Sequence, residues 1–193
     1  MRRLSLLVGL SLALIGTAAA AQEDEGGEEG GRRQSAFRSP GGLLDRSTHQ
    51  RNMEIGVFLN LPYGYAWGLY GFPFGVGGRF YFPLVADGFI SSINDEFGLE
   101  GGVDFMFRFS SYGFYPLIDV PVSAVWRFHL TDRWTVYPKL GLGIGFGYNY
   151  GYTVPVYFVF ESLVGAIFKI NDALSLRFEL GYPTARIGLG FSL

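Results

Sequence analysis

From Met53 onward, apolar and polar residues alternate with a period of two, the signature of strands whose two faces meet different surroundings. Eight such segments follow one another, at 53–61, 75–84, 97–109, 119–130, 134–148, 154–170, 174–182 and 186–193. In the third, Leu99, Gly101, Val103, Phe105, Phe107 and Phe109 share an uncharged face, opposite Glu100, Gly102, Asp104, Met106 and Arg108. In the fifth, Leu140, Leu142, Ile144, Phe146 and Tyr148 oppose Lys139 and four glycines, at 141, 143, 145 and 147. The joints at 131–133 and at Asn171-Asp172 read as tight polar turns, on the same side as both ends of the strand array. Longer connections are expected on the other side, at 62–74, 110–118, 149–153 and 183–185. The connection 85–96 is long for a turn, so six or ten strands are alternative counts.

Alternation alone does not say which face points outward. The charged face is rich in glycine, which is poor on an exposed strand but leaves room in a narrow lumen. On the uncharged face, aromatics gather near the strand ends: Trp126, Phe128, Trp134, Phe168 and Phe191 on the turn side, Phe109, Tyr148, Phe158 and Tyr182 on the other. Two such girdles mark the interfaces of a membrane barrel. An open strand edge cannot sit in hydrocarbon, so the first strand must pair with the last. The expected fold is therefore all-β, a transmembrane up-and-down antiparallel β-barrel of about eight strands. The inverse arrangement, with the apolar face inside, would make a soluble periplasmic ligand-binding barrel.

Composition agrees with this. Hydrophobic residues make up 49% and charged residues 17%, yet after the N-terminus no run approaches the roughly 20 apolar residues of a membrane helix. The net charge of -2 gives no sign of a nucleic-acid partner. The chain has no cysteine, which excludes disulfides, thiol catalysis and thiolate metal sites. Met1-Arg2-Arg3, the apolar stretch Leu4–Ile15 and the small-residue site Ala19-Ala20-Ala21 have the order of a signal peptide over 1–21, with cleavage between Ala21 and Gln22; a retained membrane anchor is the alternative. Residues 22–51, acidic and then basic and without periodicity, are expected to be a disordered periplasmic segment, a solvated tail or a partner-binding arm. The barrel is expected over 52–193.

The last residues, Arg186-Ile187-Gly188-Leu189-Gly190-Phe191-Ser192-Leu193, resemble the outer-membrane β-signal, with Arg186, Gly188, Phe191 and Leu193 in its places. The usual terminal residue is aromatic, and here it is Leu193. Over about residues 53–193 the pattern resembles small bacterial outer-membrane β-barrel proteins of the OmpA-like type, without the periplasmic domain that follows the barrel in some relatives. That resemblance implies a bacterial outer-membrane location, outer-membrane lipid as surroundings and the barrel-assembly machinery as a partner.

The inward face is expected to hold a lumen charge network of Glu54, Arg79, Glu100, Asp104, Arg108, Arg127, Lys139, Glu161, Lys169, Arg177, Glu179 and Arg186, with Asp119 beside it. The two signs nearly balance, and buried charges must pair. A structural salt-bridge plug is the expected role, and a narrow ion path or small-ligand carrier is the alternative. His129 is the one histidine of the strand region; Ser123, on its face, is six residues away, roughly 20 Å along a strand, so no nucleophile–base pair forms by spacing. No enzyme, cofactor or metal site is expected. The aromatic stretch 62–74 reads as an interfacial anchor or a surface binding site for an unknown ligand. The functional expectation is a structural or surface-interaction barrel.

Overall fold

The computed structural model describes residues 35–63, 73–110, 113–147 and 156–193. The signal-peptide boundary at Ala21 and Gln22, the stretch 22–34, most of the aromatic stretch 62–74, and Tyr148 lie outside them. Eight strands form in chain order: β1 (Glu54–Pro62), β2 (Pro73–Val85), β3 (Asp95–Ser110), β4 (Gly113–His129), β5 (Trp134–Gly147), β6 (Val156–Lys169), β7 (Leu174–Tyr182) and β8 (Thr184–Ser192). Each pairs antiparallel with its neighbours, and β1 pairs with β8 from Glu54↔Ser192 to Pro62↔Thr184, so the sheet closes into a barrel. The count is eight.

Two expected loops are shorter than the sequence suggests. Most of 110–118 belongs to the β3–β4 hairpin, whose ladder runs out to Ser110↔Gly113. Within it Pro116 pairs with Phe107, while Phe114 and Ile118 keep the outward alternation on either side. Likewise 183–185 shrinks to Pro183, because Thr184 and Ala185 already pair with Pro62 and Leu61.

At the opposite end the turns are built by side chains. Trp134 N–H donates to Thr131 Oγ1 at 3.0 Å. The amides of Ala173 and Leu174 donate to Asn171 Oδ1 at 3.0 and 2.9 Å. Such local bonds satisfy the amides that a two-strand joint leaves free.

The faces sort as the alternation requires. Ile55, Val57 and Leu59 on β1, Leu140, Leu142 and Ile144 on β5, and Ile187, Leu189 and Phe191 on β8 are all exposed on the outer wall. The soluble alternative needs these side chains inside, and it fails on this point.

Residues 35–51 precede β1 and were expected to be unstructured. They begin with a 3-10 turn, Ala36–Arg38, and then run against the barrel end that carries the tight turns. Leu43 N–H donates to Leu130 O at 3.2 Å, and Asn94 N–H donates to Leu43 O at 2.7 Å. Backbone bonds to two connections hold this strap, which composition alone does not reveal.

Candidate functional site

The lumen is filled by charged side chains, and every strand supplies a member. Lys139 Nζ lies 2.8 Å from Glu100 Oε1 and 2.8 Å from Glu179 Oε2. Arg177 Nη2 donates to Glu100 Oε2 at 2.6 Å and to the Tyr137 hydroxyl at 3.1 Å, while that hydroxyl donates to Glu179 Oε1 at 2.7 Å. Arg79 Nη2 donates to Asp104 Oδ2 at 2.5 Å. Arg186 joins Asp104 at 3.0 Å, Glu179 at 3.1 Å, and Glu161. Asn60 of β1 donates to Asp104 Oδ1 at 2.8 Å, and Ser123 of β4 donates to Glu161 Oε2 at 3.1 Å.

Four carboxylates, Glu100, Asp104, Glu161 and Glu179, thus meet four cations, Arg79, Lys139, Arg177 and Arg186. Their charged side chains are between 0 and 3% exposed. Removing an ion from water costs several kcal/mol even after relaxation, and only dense pairing offsets it. Here nearly every charge has more than one partner of opposite sign.

Glycine makes the room. A Cβ at Gly165 would overlap the Tyr137 ring, one at Gly77 would overlap the Asp104 carboxylate, and one at Gly141 would overlap the Ser123 hydroxyl. The glycine-rich inner face is the counterpart of large inward side chains on the neighbouring strand.

A second tier lies nearer the turns. Arg127 grips Glu54 with two bonds, of 2.9 and 2.8 Å, and donates to Glu96 at 3.2 Å. Its guanidinium carbon sits 3.5 Å from the Tyr81 ring centre, and the Tyr81 hydroxyl donates to Glu96 Oε1 at 3.1 Å. Arg51 of the strap reaches Glu96 Oε2 at 3.0 Å. Beyond this tier a cavity of about 350 Å³ opens at the barrel mouth, lined by strap residues such as His49 and Arg51 and by Glu54, Glu96, Arg127 and His129.

Of the residues expected in the lumen network, Glu54, Arg79, Glu100, Asp104, Arg127, Lys139, Glu161, Arg177, Glu179 and Arg186 stand in these two tiers. Lys169 does not. It is the last residue of β6, lines the mouth cavity and pairs with Asp172 in the turn at 2.8 Å. The side chain of Arg108 lies outside the described residues. Asp119 is buried toward the far end and accepts from the Tyr157 hydroxyl at 2.5 Å.

Glu96 was missed because it falls in the supposed connection 85–96. Its parity with Glu100 and Asp104 is the signal that extends β3 backward to Asp95. His129 Nδ1 lies 2.9 Å from Thr135 Oγ1, and Ser123 is committed to Glu161. These contacts hold the two side chains in separate tiers.

At the C-terminal strand, Arg186 points inward to its carboxylates, Gly188 lies against the Phe58 ring, and Phe191 and Leu193 are exposed on the wall.

No protein-family model matches the sequence, and no curated protein matches it. Solved structures do. The attachment invasion locus protein Ail of Yersinia pestis, crystallised with the heparin analogue sucrose octasulfate, is 16% identical, with a TM-score of 0.45 over 74% of this chain and 97% of that one. Ail in a phospholipid bilayer nanodisc is 14% identical, with a TM-score of 0.44 over 74% of this chain and 100% of that one. Neisserial surface protein A is 11% identical, with a TM-score of 0.49 over 73% of this chain and 97% of that one.

Proposed function

We propose that this outer-membrane barrel is a closed, non-conducting scaffold that presents the connections at the end away from its tight turns to an uncharged partner at the cell surface. The distribution of charge carries this reading. The described lumen charges are paired and nearly inaccessible, so they hold the wall together and, among the described residues, leave no free charge to draw an ion through. Toward the far end the sequence has no charged residue over 61–78, 109–118, 140–160 and 180–185. All of the chain's 12 tyrosines except Tyr81 and Tyr137 fall in those stretches, among glycine, serine and asparagine.

Tyrosine offers a large, rigid contact area at low entropic cost, and small polar residues adapt around it, the chemistry of many binding loops. A sulfated polyanion would need lysine and arginine, which these stretches lack. The partner that fits is neutral and is held by ring stacking and hydrogen bonds.

Two measurements test this. Reconstituted in planar bilayers, the protein should give no steady conductance; a stable open level abolished by Lys139→Ala would overturn the plug. On surfaces displaying neutral and sulfated glycans, binding should favour the neutral set and be insensitive to salt, because screening weakens only charged contacts. Salt-sensitive capture by the sulfated set would overturn the neutral partner.

We further infer that Arg186, Gly188, Phe191 and Leu193 are read by the barrel-assembly machinery. Replacing Phe191 by Ser should slow assembly in cells and leave refolding of purified protein in detergent little changed; equal loss in both would sink this reading.

A further inference from the structure

The link between β2 and β3, residues 86–94, is longer than the other two at its end of the barrel, and it does not hang free in water. It folds back against the outer wall. The Phe89 ring centre lies 5.3 Å from that of Phe97 and 5.8 Å, edge-on, from that of Trp126. Phe89 remains 62% exposed and Ile90 38%.

The opposite side of the same link is polar and faces the strap. Asp87 Oδ1 accepts from His49 N–H at 3.3 Å, and Ala86 O accepts from Arg51 Nε at 3.1 Å. Asp87 and Ser91 line a cavity of about 220 Å³ together with strap residues Asp45, Ser47 and His49. The link is therefore two-sided, tied to polar groups on one side and bare and apolar on the other.

Asp95 explains the fold-back. By parity it belongs to the outer face of β3, with Phe97 and Leu99, where a carboxylate would meet the membrane. It is instead 1% exposed. Its Oδ2 accepts from the Trp126 indole N–H at 2.7 Å and from Phe89 N–H at 3.1 Å. Gly88, at φ +42°, packs so close to this carboxyl that a Cβ there would overlap it. Covering Asp95 places Phe89 and Ile90 outermost.

We propose that residues 86–94 form an interfacial membrane anchor, with Phe89 and Ile90 entering the periplasmic leaflet of phospholipid at the boundary between headgroups and acyl chains. This rests on the reading of the barrel as membrane-embedded. Continuity names the occupant. The exposed pair adjoins the apolar wall, because Phe89 packs on Phe97, whose strand partner Val85 follows the exposed Leu84. Phe89 meets Trp126 edge-on, and the Trp126 ring centre lies 5.2 Å from that of Phe128 in the aromatic belt at the turn end. Aromatic and aliphatic side chains on one face, with a polar opposite face, suit that boundary.

The absence of cysteine makes the test direct. Single substitutions Ile90→Cys, Leu142→Cys and Arg133→Cys would each carry an environment-sensitive fluorophore, in full-length protein reconstituted into phosphatidylcholine vesicles. Leu142 is mid-wall and 69% exposed; Arg133 is in the β4–β5 turn. The probe at 90 should be quenched by lipids bearing a nitroxide near the headgroup, and several-fold less by aqueous iodide than the probe at 133. Iodide quenching at 90 equal to that at 133, with the probe at 142 still lipid-quenched, overturns the anchor and leaves the membrane barrel standing. Shielding from both quenchers at 90 also overturns it, in favour of a protein cover. Iodide access at 142 overturns the membrane reading itself.

Discussion

The Arg127 guanidinium carbon lies over the Tyr81 ring, 3.5 Å from its centre, and both side chains bond the same carboxylate, Glu96. Stacking and ion pairing are combined at one guanidinium. A lysine has the charge but neither the flat face nor the two-pronged grip on Glu54. Arg127→Lys should therefore lower the urea stability of the folded, heat-modifiable form by about 2 kcal/mol. An unchanged midpoint would mean that the mouth tier contributes little.

Lys139 bridges Glu100 and Glu179. In Lys139→Met the methylene volume stays but two carboxylates lose a shared cation. Breaking a buried pair costs about 3–5 kcal/mol. The folded fraction on an unboiled gel should fall at moderate urea, and a second change, Glu179→Gln, should restore part of the loss.

Gly165 faces the Tyr137 ring. Gly165→Val should cost about 1–3 kcal/mol by overpacking. Combined with Tyr137→Leu, the penalty of the valine should shrink, giving a favourable coupling in a double-mutant cycle. Strict additivity would show that the overlap relaxes elsewhere.

The strap depends on Arg51, which reaches Glu96, Asn94 and Ala86 O. Arg51→Ala removes these bonds, worth about 1–3 kcal/mol together. Trypsin should then cut at Arg46 about tenfold faster or more, while the boiling shift of the barrel stays.

Acid should act differently on the strap. The backbone N–H groups of Gly41 and Ser47 hold the Asp45 carboxyl well below the usual range. A depressed carboxyl stabilises above its unfolded pKa of about 4 and loses that contribution only as pH falls through the lower folded value. The Gly41 and Ser47 amide resonances should hold their positions down to about pH 4. A shift centred above pH 5 would contradict the contact.

Much of this was legible in the chain. Period-two alternation fixes which residues of β1 and of β5–β8 face the lumen, because a strand offers only two sides. Charge balance on one side then foretells pairing. Who pairs with whom was not legible: Arg186 meets Asp104 across 82 positions, a partnership set by closure and side-chain reach. Glu96 and Asp95 hid in what read as a loop, since a strand that begins on polar residues carries little alternation. Lys169 lines the mouth cavity as parity predicts, but at a strand end water is within reach, and its partner is the turn residue Asp172. The strap escaped because its partners lie far along the chain, Leu130 for Leu43 and Glu96 for Arg51, which composition does not record.

The ion lattice also bears on the order of events in folding. Arg186 sits on the last strand and neutralises Asp104 of β3, Glu161 of β6 and Glu179 of β7. Until β8 arrives, those three carboxylates lack this shared counter-charge. A partly assembled sheet must therefore keep its inner face wet. Drying of the interior and sealing of the β1–β8 seam become one event, and a shift of β8 by a single residue would turn Arg186 toward lipid. The last strand thus proofreads the register of the seven before it.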